Sequence, residues 1–367
     1  MDFPTGPDEL SAGWLTTALR AGGAIRRASV VTFTTTALTV EKGITGVLTL
    51  VALGYDQPEP GAPATLVVKF SAAHPDLRAV LHEMRFFERE VRFYADLAEA
   101  TPIRTPRCYA AEIDRDSGWS VLLLEDLSAL RNGSWVGGSS LEDLRLALTG
   151  IAAVHAAWWE SPVLAEHAWL GLASLTSVPQ MQQVAVDTWP GFLRRLSAPA
   201  SDEILAAGEL IRRHLHAVGA YLLETPPRTL VHHDFDGDNL FFAAAAGHPA
   251  LTVIDWQLTT RAHPAVDVAW LVAGQCEPPE RRAHEQHLVR DYHALLVGHG
   301  VTDYSFAQCW EDYRLALLLA AARVCSSVGF QPGPPGGFWD VVFPRYAQAL
   351  ADLQVGELLE ARHPVRV

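Results

Sequence analysis

The chain has 367 residues, 49% of them hydrophobic, which allows two substantial cores and excludes general disorder. Lys and Arg number 28 against 42 Asp and Glu, for a net charge of −14, so the surface is expected to repel nucleic acid and anionic membranes.

Residues 29–40 and 47–53 alternate in polarity and are rich in β-branched side chains, which predicts two strands joined by a hairpin loop at Lys42-Gly43-Ile44-Thr45-Gly46. A buried strand over 65–70 follows and carries Lys69, one of only two lysines in the chain. Residues 79–98 have helical periodicity, with Phe86, Glu90, Phe93, Tyr94 and Leu97 on one stripe. Glu88, Arg85, Arg89 and Arg92 fall on the face expected to meet solvent. Strands over 107–113 and 119–124, separated by Asp114-Arg115-Asp116-Ser117-Gly118, complete a five-stranded antiparallel sheet and lead into Glu125-Asp126-Leu127.

Beyond this point the pattern becomes helical. Long helices are predicted over 140–160 and 202–223, with three helical segments between 280 and 325 and a terminal helix near 346–359. The most apolar helical stretch, 315–322, is too short to cross a bilayer. The fold class is therefore α+β: a sheet-based lobe over 1–126 and a larger, mostly helical lobe over 127–367, with the active site expected between them. Four cysteines without C-x-x-C or metal spacing read as reduced thiols, and residues 1–7 lack a signal-peptide pattern, so a cytoplasmic location is expected.

The chemistry concentrates in 230–240 and 251–257. The first segment orders His232, Asp234 and Asn239 as H-x-D-x-x-x-x-N, and the second ends in Val253-Ile254-Asp255-Trp256-Gln257. Transfer of a γ-phosphoryl group needs a carboxylate to orient an acceptor hydroxyl, and hard oxygen ligands for a metal on the triphosphate. Asp234 suits the first task, while Asn239 and Asp255 suit the second. Apolar triplets on either side, Thr229-Leu230-Val231 and Leu240-Phe241-Phe242, predict short strands that pin the loop. A calcium loop is excluded because Gly237 comes two places early and Ala245 stands where the closing Glu belongs. A zinc hydrolase built on His232, His233 and Asp234 is the competing chemistry.

His232-His233-Asp234-Phe235-Asp236-Gly237-Asp238-Asn239 and Ile254-Asp255-Trp256-Gln257 resemble the aminoglycoside phosphotransferase and choline kinase superfamily, and Trp256-Gln257 is most similar to its ecdysteroid-kinase-like branch. His263-Pro264-Ala265-Val266-Asp267-Val268-Ala269-Trp270 and the segment 288–313 continue the likeness. The resemblance implies a two-lobed protein-kinase-like fold that transfers the γ-phosphate of ATP or GTP, with Mg2+, to a hydroxyl of a small molecule. Lys69 would hold the α- and β-phosphates and Glu90 would fix Lys69, with Glu83 in reserve. Gly43, Thr45 and Gly46 would cover the phosphates, and backbone groups of Glu125 and Leu127 would meet the nucleobase. His232 and Asp267 would support the catalytic loop, and His155 reads as a core histidine.

Only eleven residues separate Asp255 from Asp267 and no A-P-E follows, which disfavours a protein substrate. The acceptor is expected to be a metabolite or natural product, with the acidic surface favouring a cationic, antibiotic-like compound. No nucleic-acid or membrane partner is expected, and the protein should be a monomer or homodimer. A nucleotide-binding protein of this fold without catalysis, or a sugar, amino-alcohol or steroid kinase, are the alternatives.

Overall fold

The computed structural model describes residues 3–38, 45–172, 176–329 and 337–362. The chain divides into two compact units: one holds Met1–Arg131 with Ala244–Ala246 and Thr252–Leu258, the other Asn132–Ala243, Gly247–Leu251 and Thr259–Val367.

The first unit is built on a five-stranded antiparallel sheet in the order β1-β2-β3-β5-β4, from β1 (Val30–Ala37), β2 (Gly46–Tyr55), β3 (Thr65–Ser71), β4 (Cys108–Ile113) and β5 (Ser120–Glu125). β3 is central, and its β-branched alternation sends side chains to opposite faces. Leu66, Val68 and Phe70 join Val51, Val121 and Leu123 in a core shared with Leu15 and Leu19 of helix α1 (Ala12–Ala21). α1 starts where Ser11 Oγ accepts from the Trp14 N–H at 3.2 Å. In a second cluster Leu122 and Leu124 of β5 pack against Val91. Lys69 lies opposite Leu122 in the β3–β5 register, one residue out of phase with Val68 and Phe70.

The helix predicted over 79–98 is two helices and a wider turn: α2 (Pro75–Glu83), α3 (Phe86–Arg92) and a π turn over Phe93–Leu97. Arg85 breaks it with a φ of 63°. The predicted stripe stays inside, with Phe86, Glu90, Phe93 and Leu97 buried, but the buried face of α3 is broader than expected: Arg89, expected to meet solvent, is 1% exposed.

A two-residue strand β6 (Arg131–Asn132) precedes the helical region. The second unit contains α4 (Leu141–Ala157), α5 (Pro162–Glu166), α6 (Val178–Arg195), α7 (Asp202–Glu224), α8 (Ala265–Gln275), α9 (Pro278–Gly298), α10 (Phe306–Ser326), α11 (Phe338–Asp352) and α12 (Val355–Arg362). Ser140, Ser201 and Ser305 cap α4, α7 and α10 through their hydroxyls. The region 280–325 holds two long helices, α9 and α10, where three segments were expected, and the predicted terminal helix is split by Gln354 at a φ of 51°. Every residue of α8 is buried, as an all-round apolar helix requires, with α10, α11, α9 and α4 packed around it. Among the described residues no helix is long and apolar enough to cross a membrane.

The two strands predicted beside the motif are present as β7 (Thr229–Val231) and β8 (Leu240–Phe242); β9 (Leu251–Val253) runs into Asp255. β10 (Thr260–Ala262) pairs antiparallel with β7.

Candidate active site

In the first unit, Lys69 Nζ donates to Glu90 Oε1 at 2.9 Å and to Asp255 Oδ1 at 2.7 Å. The lysine side chain is only 14% exposed, and Glu90 is 4% exposed. Burial works against the Lys69 charge, but Asp255 and Glu90 together outweigh it and hold the ammonium above the ordinary lysine range. Glu90 is pushed up to about 7: burial is the main cause, Lys69 opposes it and Asp255 adds to it. Two carboxylates share one ammonium here, so the trio carries a surplus negative charge.

Asp255 adopts a left-handed φ of 66°, and its Oδ2 accepts from the Gln257 amide at 3.2 Å. Trp256 anchors this turn, its ring stacked on Phe93 at 4.0 Å with an interplanar angle of 6°. Trp256 is fully buried, so its aromatic surface serves the core.

In the second unit, the loop between β7 and β8 is held from several directions. Asp267, in the first turn of α8, accepts from the backbone N–H groups of His232 and His233, both at 2.7 Å, and lies 3.2 Å from His155 Nε2. Burial works to raise the Asp267 pKa, but the hydrogen bond and charge of His155 prevail and hold it below the usual carboxylate range. His155 in turn meets Tyr292 at 2.8 Å. The imidazoles expected of a zinc hydrolase are engaged within the protein: His232 Nδ1 accepts from the Asp234 N–H at 3.2 Å, and His233 Nε2 lies 2.6 Å from Thr260 Oγ1. His233 has a φ of 68°, a conformation that turns the chain sharply just before Asp234.

Asn239 Nδ2 donates to the Asp234 carbonyl at 2.8 Å and to Asp234 Oδ2 at 3.1 Å, which ties the two ends of the motif together. Asp236 caps the intervening turn through the Asp238 N–H at 3.0 Å and accepts from Trp270 Nε1 at 3.1 Å. Gly237 is required by close approach: a Cβ would lie 2.7 Å from the Ser134 backbone.

The structure brings Lys69, Glu90 and Asp255 together in one unit, and His232, Asp234, Asn239 and Asp267 together in the other. Glu83, the reserve partner for Lys69, is exposed. Gly43 lies outside the described residues. Thr45 precedes β2, and Gly46 begins it, opposite Ser71. A Cβ on Gly46 would be 2.6 Å from the Phe70 carbonyl oxygen and 3.7 Å from Lys69 Cε, so strand packing already excludes a side chain there. At the expected hinge, the Glu125 N–H donates to the Arg107 carbonyl at 2.9 Å and the Leu127 carbonyl accepts from Leu130 at 2.9 Å. The Glu125 side chain pairs with Arg104 at 2.6 Å.

Sequence reading missed Arg323 of α10. Its Nη1 donates to the His233 carbonyl, and its Nη2 is 3.9 Å from Asp234 Oδ1. The only local signal was a charge closing an apolar helix.

The donors proposed for a metal are a carboxylate, Asp255, and an amide oxygen, Asn239, whose nitrogen already faces Asp234. Taken singly, each is a hard oxygen donor of the kind that Mg2+ accepts. Among the described residues, no group of three or more His, Cys, Asp or Glu is placed to hold a metal ion by itself.

The structure is similar to an ethanolamine kinase from Plasmodium vivax (12% identity, 90% of this chain and 84% of that one, TM-score 0.53). It is also similar to a choline kinase from Cryptosporidium parvum (9% identity, 96% of each chain, TM-score 0.52). A third similar structure is an aminoglycoside 2'-phosphotransferase solved with GDP (12% identity, 96% of this chain and 97% of that one, TM-score 0.51). At these identities the likeness speaks for a shared kinase-like fold. No curated protein matches the chain in sequence. The family model described as Ecdysteroid kinase-like family matches residues 43–300, well over half of the chain, and the protein belongs to that family of small-molecule kinases.

Proposed function

We propose that the protein is an O-phosphotransferase that moves the γ-phosphate of ATP or GTP to a hydroxyl of a metabolite or natural product. The observation that carries this reading is Lys69 bonded to both Glu90 and Asp255, at 2.9 and 2.7 Å. A buried lysine between two carboxylates is poised to hand its second contact to phosphate while Asp255 turns to the metal. The similar phosphotransferase solved with GDP supports a purine nucleotide as co-substrate.

Lys69 would bind the α- and β-phosphates, with its rotamer fixed by Glu90. Asn239 and Asp255 would hold Mg2+, which when bound neutralises charge on the triphosphate. Asp234 would accept the hydroxyl proton as the acceptor oxygen bonds to the γ-phosphorus. The bond from phosphorus to the β–γ bridging oxygen breaks in the same step, and the nucleoside diphosphate leaves with that electron pair. His232 and Asp267 would keep the Asp234 loop in place.

The test is nucleotide-dependent diphosphate release across a panel of hydroxyl compounds, with Asp234→Asn as the control. Loss of a proton acceptor should lower transfer about 10²–10⁴-fold and leave Mg-nucleotide affinity nearly unchanged. Equal turnover in Asp234→Asn would remove Asp234 from the role. Tight nucleotide binding without turnover on any acceptor would favour a non-catalytic nucleotide-binding protein.

A further inference from the structure

A cavity of about 300 Å³ in the second unit is lined by none of the residues assigned a role above. One part of its wall is apolar, formed by Leu164, Leu170 and Leu223, all of them buried. Two arginines share the rest: Arg228, which immediately precedes β7, and Arg261 of β10, opposite Leu230. Among the described residues no carboxylate forms an ion pair with either guanidinium. Burial lowers the Arg261 pKa, Arg228 lowers it further and Glu160 opposes them. The Arg228 Nε–H is buried without a hydrogen-bond partner among the described residues, a costly state for a charged donor. Glu160 does not supply that partner, because its Oε1 accepts the Arg228 backbone N–H, while its own N–H donates to the Arg228 carbonyl at 2.9 Å.

The other ionisable groups of the lining, among the described residues, are His167 and the exposed Glu224. Guanidinium donors in a partly dry setting bind carboxylate and phosphate oxygens strongly. Glu160 and Glu224 already offset the two positive charges at longer range, so a dianion would bring more negative charge than the arginines balance. A single carboxylate gains the direct hydrogen bonds with the least repulsion, because Glu224 is screened by solvent. The leucine wall calls for an apolar body behind that carboxylate. A volume at the lower end for small-molecule sites limits the body to a short chain or a single ring.

We propose that this cavity is an accessory binding site for a small organic monocarboxylate, held by Arg228 and Arg261 with its apolar body against Leu164, Leu170 and Leu223. The site lies on the strand pair that carries the Asp234 loop. At the other end of that pair Val231 lies opposite Thr260, and Thr260 Oγ1 is 2.6 Å from His233 Nε2. Binding there is independent of phosphotransfer.

The experiment is calorimetric titration of the full chain, near pH 7 in a carboxylate-free buffer, with 4-methylpentanoate, its neutral amide and inorganic phosphate. Wild type should bind the acid at least about tenfold more tightly than the amide or phosphate, the size of a charge-assisted hydrogen bond. Arg228→Gln and Arg261→Gln, each first shown by thermal unfolding to be folded, should each weaken acid binding on the order of tenfold. Glu224→Gln should move it the other way, about two- to threefold tighter, because a screened carboxylate is removed from the lining. In wild type, absence of saturable acid binding, equal affinity for the amide, or tighter binding of phosphate would overturn the proposal whether or not the variants fold. Acid binding unchanged in both arginine variants would place the ligand elsewhere on the molecule and overturn it as well.

Discussion

Glu90 in the first unit and Asp267 in the second are equally hidden from solvent, yet their acidities move in opposite directions. Burial works against ionisation in both. Asp267 has three donors for one carboxylate: the N–H groups of His232 and His233, and the His155 ring. Around Lys69 the ratio is reversed, with one ammonium for two carboxylates. Donor supply per carboxylate, rather than depth, therefore sets the direction in which each acidity moves. The Asp267 cluster holds the backbone of the Asp234 loop, whereas the Lys69 trio has two carboxylates on one ammonium; on the proposed function, Asp255 is the one that a metal ion would draw away.

The largest effect is expected where the fixed cluster is broken. Asp267→Ala would strand two backbone N–H groups and His155 in a dry interior, at a cost of about 3–5 kcal/mol measured by urea unfolding. A loss below about 1 kcal/mol would mean that water or a neighbouring side chain takes over, and that Asp267 is not the pin it resembles.

Glu90→Gln should behave in the opposite way. Removing surplus negative charge leaves stability near neutral pH level or slightly higher, but Lys69 loses its ionic guide, so kcat/KM should fall about 10–100-fold. The pH dependence separates the two regions further. Glu90 has a raised folded pKa of about 7 against an ordinary 4.5, so its charged form is disfavoured in the fold. Its contribution to stability is therefore highest below pH 4.5 and declines as pH rises to about 7, by roughly 1–3 kcal/mol. Asp267 has a depressed pKa, so its contribution is full above the unfolded carboxylate value and is lost as pH falls below it. Unfolding free energies across this range should show the neutral-side decline in wild type and not in Glu90→Gln. Parallel curves would show that Lys69 neutralises Glu90 fully.

The same contrast separates what the sequence discloses from what it hides. The Asp234 loop was legible because apolar triplets flank a polar cluster, and the Lys69–Glu90 pairing because a charge on an apolar stripe needs a partner. Asp267 could be assigned a supporting role only through the family resemblance, while its particular donors depend on how α8 meets the loop. The break at Arg85 was not legible, since no glycine or proline marks it, and neither was the burial of Arg89. Arg323 was hidden for a different reason. Its partners His233 and Asp234 are about ninety residues away, and only the packing of α10 on α8 brings them together.

The smallest effect should come from the packing beneath the exchanging trio. Trp256 stacks on Phe93 and bears on Asp255 only through the chain, because Asp255 is the residue before it. In Trp256→Phe an aromatic ring still faces Phe93, so the lost contact area should cost only about 1–2 kcal/mol. What that ring secures is the left-handed turn that aims the Asp255 carboxylate, and a small tilt there should matter most to a ligand with strict geometry. Mg2+ is such a ligand, so the Mg2+ concentration for half-maximal turnover should rise a few-fold while metal-free nucleotide affinity holds. A loss of both affinities together would place Trp256 in support of the whole Lys69 trio, and the division between a held Lys69–Glu90 pair and a movable Asp255 would have to be redrawn.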